Sequence, residues 1–265
     1  GGFFLYTHSL YLRGIINHKS IKMKKFIFLF LTSLTISAQY PQIVEVEEWT
    51  SENPMKWLQM VNDWAKLEAK ETGYQTFVLQ VMEGNKLYLC RGYKSMQELV
   101  KNGDERWGDK GWQNRTFEKW NEKYPENAFD GVKPNKVMSH IYTFWPDLSY
   151  IPDNVDLSKM KYRRHINIDI HQGDNSWNNF VEQTKKAVAN DKKLKNNYVR
   201  VAYSPMYGGI PNSEFLFIAM DETRAKYFEN LEKRTTKRNK DKDWKKMQGN
   251  NLASFVEEEN IMLQN

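Results

Sequence analysis

Cysteine is nearly absent from this chain. Among its 265 residues Cys90 stands alone, so no intrachain disulfide can form and no cysteine-rich zinc site can be assembled. It lies in the apolar run LYLCRGY, where an inert buried thiol is expected rather than a nucleophile or metal ligand. Long apolar stretches are missing too. The greasiest segment, Phe26–Leu31 continued by Thr32–Ile36, falls short of the roughly 20 residues that a membrane span needs. No Walker loop, GxGxxG, nucleophile elbow or HExxH occurs, which removes the usual signatures of nucleotide, serine-hydrolase and zinc-protease sites.

The apparent excess of positive charge also dissolves on inspection. The whole chain carries 39 Lys and Arg against 33 Asp and Glu. Met23-Lys24-Lys25, the apolar run and the exit Ser37-Ala38-Gln39 form a secretory leader with expected cleavage after Ala38. Residues 1–22 precede Met23 and read as an upstream extension. Residues 1–38 contain Arg13, Lys19, Lys22, Lys24 and Lys25 and no acid, leaving 34 basic against 33 acidic residues in the mature chain. Nucleic-acid binding by bulk charge therefore has no support. The expected location is secreted or periplasmic, and no cysteine follows the leader to accept a lipid. The basic run RTTKRNKDKDWKK at 234–246 is broken by Asp241 and Asp243 and reads as a solvated linker and helix face.

What is present is alternation. The stretch YRRHINIDIH, Tyr162–His171, sets Ile166, Ile168 and Ile170 against His165, Asn167, Asp169 and His171. A period of two places the isoleucines on one face of a strand and the polar set on the other. Upstream, IVEVEEW reads as a first strand. A helix follows, capped by Asn53-Pro54, carrying Trp57, Leu58, Val61 and Trp64, and ended by Gly73. Tyr74–Met82 and Lys86–Tyr93 form a hairpin, Ser95 with Glu98 opens a second helix, Thr116–Lys123 a third, and Lys136–Phe144 a fourth strand. The second half repeats this order. Its elements are Tyr162–His171, a helix near Ser176–Asn190, strands Asn197–Tyr203 and Glu214–Met220, a helix capped by Asp221, and a last segment near Ala253–Leu263.

Two β-α-β-β-α-β units of about 110 residues each resemble the ferredoxin-like fold. In tandem, over 40–150 and 151–265, they resemble a single-chain version of the dimeric α/β-barrel superfamily. That resemblance implies an α+β fold in which two antiparallel sheets pair face to face, with helices outside and a ligand cavity between. Separate sheets without a shared barrel are the alternative. Members of the superfamily include haem-handling enzymes, cofactor-free monooxygenases and isomerases, so the fold leaves reaction and cofactor open.

If each apolar strand face meets helices, the opposite faces line the cavity. This assigns Glu45, Glu47 and Trp49 from the first strand, and Met138, His140, Tyr142 and Phe144 from the fourth. The second half would add His165, Asn167, Asp169 and His171, with Tyr198 and Arg200. Arg91 lies in a strand apolar on both sides, so its face is ambiguous. Imidazoles beside carboxylates can move protons, with His140, His165 and Asp169 the catalytic candidates. Glu45, Glu47, Tyr142, Asn167 and Arg200 are candidates for holding a small organic ligand. His165 and His171 are roughly 20 Å apart at about 3.3 Å per residue and cannot share a metal ion. Haem on His140 or His165 is implied by the resemblance alone. Trp107 and Trp112 fall in the glycine-bearing stretch GDERWGDKGW, a candidate lid or sugar-stacking loop. A non-enzymatic envelope protein binding a partner or glycan through that loop is the competing function.

Overall fold

The structure, a computed structural model, describes residues 40–265 apart from 154, 174, 209–212, 248–251 and 264–265. The expected leader lies outside the described residues. From Pro41 onward the chain makes one compact unit, built among the described residues on eight strands and six helices.

The first half runs β1 (Ile43–Thr50), α1 (Pro54–Thr72), β2 (Gln75–Val81), β3 (Lys86–Tyr93), α2 (Met96–Arg106), α3 (Trp112–Lys123) and β4 (Asn135–Phe144). The second runs β5 (Tyr162–Ile170), α4 (Ser176–Lys193), β6 (Val199–Tyr207), β7 (Phe215–Asp221), α5 (Arg224–Lys240), α6 (Lys242–Met247) and β8 (Ala253–Leu263). Local chemistry explains the helix ends. Asn53 accepts a hydrogen bond from the Lys56 backbone, Pro54 occupies the first turn, and Gly73 at φ 73° closes α1 with its N–H on Ala69. Ser95 caps α2 through the Glu98 N–H, and Glu98 reaches back to the Lys94 N–H at 2.7 Å. The cap of α5 is Thr223, not Asp221, which instead accepts from Asn230 at 2.7 Å.

All eight strands are antiparallel to their neighbours and close in the order β1-β3-β2-β8-β5-β7-β6-β4. The sheets are therefore not separate, and they do not merely face each other. They join edge to edge, β2 to β8 and β4 to β6, which removes every free sheet edge where pairing is complete. Within the halves the orders β4-β1-β3-β2 and β8-β5-β7-β6 correspond position by position.

Helices cover the outside. Trp57, Leu58, Val61 and Ala65 of α1 pack on Val78, Leu87 and Leu89, joined by Trp120 of α3. The Trp64 and Trp120 rings meet edge to face at 5.6 Å, and the Trp120 indole N–H donates to the Met60 carbonyl at 2.8 Å. Opposite, Ile168, Ile170, Phe215 and Phe217 pack beneath Phe180 and Val181 of α4. Each buried side chain of this size contributes about 1.5–3 kcal/mol. The isoleucines of β5 thus face helices, which turns His165, Asn167 and Asp169 inward.

Candidate functional site

The barrel interior is identified by contacts that skip strands. Tyr88 of β3 and His165 of β5 are separated in the sheet by β2 and β8, yet their ring centroids are 6.0 Å apart. The Arg163 guanidinium of β5 lies 5.4 Å from the Phe77 ring of β2. All four side chains alternate with residues packed on the helices, so these approaches cross the inside of the barrel, where an eight-stranded cylinder has room for side chains or one small ligand.

Around His165 the interior is polar. Tyr88 donates its hydroxyl to Glu258 at 2.8 Å, and Asn260 donates to the same oxygen at 3.3 Å. Lys86 stands 3.5 Å from Glu258 and 3.6 Å from Glu48 at the rim. His165 is opposite Glu258 in the β5–β8 register, and Arg163 is opposite Asn260. Arg163, 8 % exposed, touches the Met262 sulfur at 3.0 Å and makes no ion pair among the described residues. Sealed polar atoms here lack a hydrogen-bond partner among the described residues: Arg163 Nε, His165 Nε2 and Asn260 Oδ1. Buried groups of this kind are normally satisfied, and these three share the β5–β8 wall.

Burial, reinforced by the Arg163 charge, pushes the His165 imidazole down to about 3, so it is neutral at any ordinary pH. Burial lowers His140 as well, and it raises the Tyr142 phenol and lifts the Cys90 thiol to about 12. Burial and then Glu258 raise the Tyr88 phenol. His140, Tyr142 and Phe144 face inward on β4, with the His140 and Tyr142 rings 5.8 Å apart. Gly208, at φ 69°, lies directly on that imidazole. A Cβ there would stand 2.5 Å from the Ser139 carbonyl oxygen and 3.1 Å from His140 Nδ1, so only glycine fits.

Several expected site residues face the other way. Glu45 and Glu47 point out of the barrel toward the helices. Arg91 grips Glu68 of α1 with Nε at 2.5 Å and Nη2 at 2.9 Å, and its Nη1 stands 3.0 Å from Glu47. Arg106 of α2 holds Glu45 at 2.9 Å, while Trp49 packs on Trp57 at 5.5 Å. Arg200 also points outward, its guanidinium 4.8 Å from the Phe217 ring, and Tyr198 packs on Tyr227 of α5. Val44, Val46, Val199 and Val201 take the inner positions instead. Both faces of these strands are covered, so the alternation V-E-V-E separates two faces without saying which is inside.

Asp169 is on the inner face but two pleats from His165, roughly 13 Å at about 3.3 Å per residue. It is no proton partner for that imidazole, whereas Glu258 stands opposite it. His171 follows the end of β5 and is exposed. Trp112 is not on an open loop: it is 3 % exposed as the first residue of α3, with its indole N–H on the Asn102 carbonyl at 3.1 Å. Trp107, which caps α2, is 67 % exposed. A two-ring stacking loop is therefore not formed.

Among the described residues no group of three His, Cys, Asp or Glu side chains comes together to hold a metal ion. The imidazoles do not suit a haem either. Gly208 lies against His140 Nδ1 and His165 Nε2 is sealed from solvent, so neither of those nitrogens presents an open position to an iron. No described helix is long and apolar enough to cross a membrane.

One solution property follows from these groups. The unfolded chain protonates His165 below its ordinary 6.5 while the folded protein does so only near 3. Burial opposes the charge of Glu47, but Arg91 and Lys136 outweigh it and hold that carboxyl at about 2 against 4.5. Both folded values are depressed, so both contributions are intact at high pH and lost on acidification. The His165 window runs from 6.5 down to 3 and the Glu47 window from 4.5 down to 2. The slope is about 1.4 kcal/mol per pH unit for each group. Urea unfolding against pH is expected to show stability declining below pH 6.5 and more steeply below 4.5. His165→Gln should lose most of the upper slope; an unchanged slope would contradict the buried neutral imidazole.

No family model and no curated protein matches the chain. Among solved structures, a heme-binding protein from Thermus thermophilus superposes with a TM-score of 0.45 at 11% identity, covering 85% of this chain and 92% of that one. An anthrone oxidase-like protein gives 0.47 at 8% identity, with 84% and 91% covered. A chlorite dismutase mutant from Candidatus Nitrospira defluvii gives 0.43 at 8%, with 84% and 92% covered. These values transfer neither ligand nor reaction. The fold rests on the strand pairing itself.

The residues that sequence reading passed over are Arg163, Tyr88, Glu258 and Asn260. Arg163 shares its parity with His165, a usable signal. Tyr88 sits in a strand apolar on both faces, and SFVEEEN in β8 carries three consecutive acids, which mask any alternation.

Proposed function

We propose that this is an exported protein that binds a small organic carboxylate inside its barrel, against the Arg163–His165–Asn260 wall. The observation that carries the reading is Arg163. Its charge is buried beside a thioether and a phenyl ring, with no carboxylate on it among the described residues. Leaving a cation so placed costs several kcal/mol, and a bound carboxylate removes that cost through charge-assisted hydrogen bonds. The partnerless His165 Nε2 and Asn260 Oδ1 favour a ligand with a second polar group. The inner residues Leu79, Val201 and Ile218 favour a compact apolar body.

Binding is a better reading than acid–base catalysis. A general base works best with a pKa near the working pH, and an imidazole near 3 is far too weak. Benzoate is a suitable probe. In protein labelled with ¹⁵N-histidine, saturating benzoate is expected to move the His165 Nε2 resonance with the His171 signals unmoved. Absence of any shift at tens of millimolar would count against the site.

The matching strand orders of the halves support reading 40–150 and 151–265 as two ferredoxin-like repeats, a single-chain form of the dimeric α/β barrel. The leader-like stretch at 23–38 supports export without a lipid anchor. Intact-mass analysis of the extracytoplasmic product is expected to place the first residue at Gln39, whereas a mature protein retaining Met23 would refute cleavage.

A further inference from the structure

Outside the barrel, between β6 and helices α4 and α5, three arginines gather around one acid. Asp191 of α4 accepts from Arg234 at 3.1 and 3.0 Å and from Arg238 at 2.9 and 2.7 Å, all through paired guanidinium contacts. Asn196 adds a further donor to Oδ1 at 2.7 Å. Two carboxylate oxygens offer about four lone-pair directions, so Asp191 has nothing left for a third cation. Arg200 is that third cation. Phe217 lies under its guanidinium at 4.8 Å, and its Nε and Nη2 are sealed from solvent without a hydrogen-bond partner among the described residues. The Arg234 ring contact with Tyr198 at 4.1 Å and the Arg238 contact with Trp244 at 3.7 Å hold the other two in place. Three fixed positive charges against one negative leave a net surplus of two.

We infer that Arg200, backed by Arg234 and Arg238, forms a second anion site that takes a phosphoryl oxyanion. A planar fork with two free donors matches phosphate oxygens, and the surplus charge matches a dianion. Burial and then Arg234 already depress the Arg200 pKa, a strain that an arriving anion relieves. Arg200 as a whole is only half-buried, so the cluster lies close to the protein surface. This site is independent of the barrel reading.

The test is isothermal calorimetry on the full chain with inorganic phosphate, compared with chloride at equal ionic strength, and with glycerol phosphate as a monoester. Saturable one-to-one phosphate binding is expected, weakened at least about tenfold in Arg200→Gln and less than about twofold in Arg163→Met. Tighter binding of glycerol phosphate would identify a phosphoryl headgroup, and preference for inorganic phosphate the free ion; either supports the site. Should Arg200→Gln not fold, Arg200→Lys keeps the charge, loses the fork, and must still weaken phosphate. Equal heats with chloride, or a loss confined to Arg163→Met, would overturn the inference.

Discussion

Arg163→Met is expected to abolish benzoate binding and to raise the stability of the ligand-free protein at the same time. The two effects have one cause. Arg163 contacts the Met262 sulfur and the Phe77 ring, surroundings suited to a thioether and costly for an unpaired guanidinium. Replacing even a paired buried charge by apolar side chains of similar volume is often neutral or stabilising by about 1–4 kcal/mol, and an unpaired guanidinium has less attraction to lose. The same change removes the charge that holds a carboxylate, expected to weaken binding by more than about a hundredfold, or about 3 kcal/mol. Urea unfolding and calorimetry on one preparation read both. A destabilised variant would mean that Arg163 is satisfied within the protein, and the site reading would fail with it.

Asp191→Asn should have the opposite character. Asp191 is 1 % exposed and is the shared acceptor of Arg234 and Arg238. Burial opposes its charge, but the hydrogen bonds from Arg234 and the charges of both arginines outweigh it and hold the carboxyl below its usual range. Removing the charge leaves three neighbouring arginines uncompensated, with an expected loss of about 3–5 kcal/mol. The double variant Asp191→Asn with Arg200→Met should recover part of that loss, since one repelling cation is gone. A loss under about 1 kcal/mol in the single variant would show that the cluster is screened by water instead.

Arg163 and Arg200 mark where sequence reasoning reached and where it stopped. Strand β5 was legible because its two faces differ in kind: isoleucines meet α4 and polar groups turn inward. The element order, the α1 caps and the second-half β-α-β-β-α-β pattern were legible for similar reasons, being written in local spacing. The inward faces of β1 and β6 were not. Glu45, Glu47 and Arg200 looked like cavity residues because polar groups usually avoid helix-covered faces. Here, however, Glu68, Arg106, Asp191, Arg234 and Arg238 extend from the helices to meet or surround them. Whether a strand charge finds its partner on a helix is a tertiary fact, invisible to a period of two. Glu258 and Asn260 were unreadable for a different reason, since β8 reaches the site only through its pairing with both β2 and β5. Trp112 lies on a helix and not an open loop because a turn between Gly108 and Gly111, closed by a 2.9 Å backbone hydrogen bond, starts α3 earlier than the glycines suggest.

The most direct test of the barrel site is diffraction from crystals soaked in 3-bromobenzoate, measured at the bromine edge. The account predicts an anomalous peak inside the barrel, with the carboxylate within hydrogen-bonding distance of Arg163 Nε and the ring against Leu79 and Ile218. Bromine confined to the outer surface or to the Arg200 cluster, or an interior closed to the probe altogether, would contradict it.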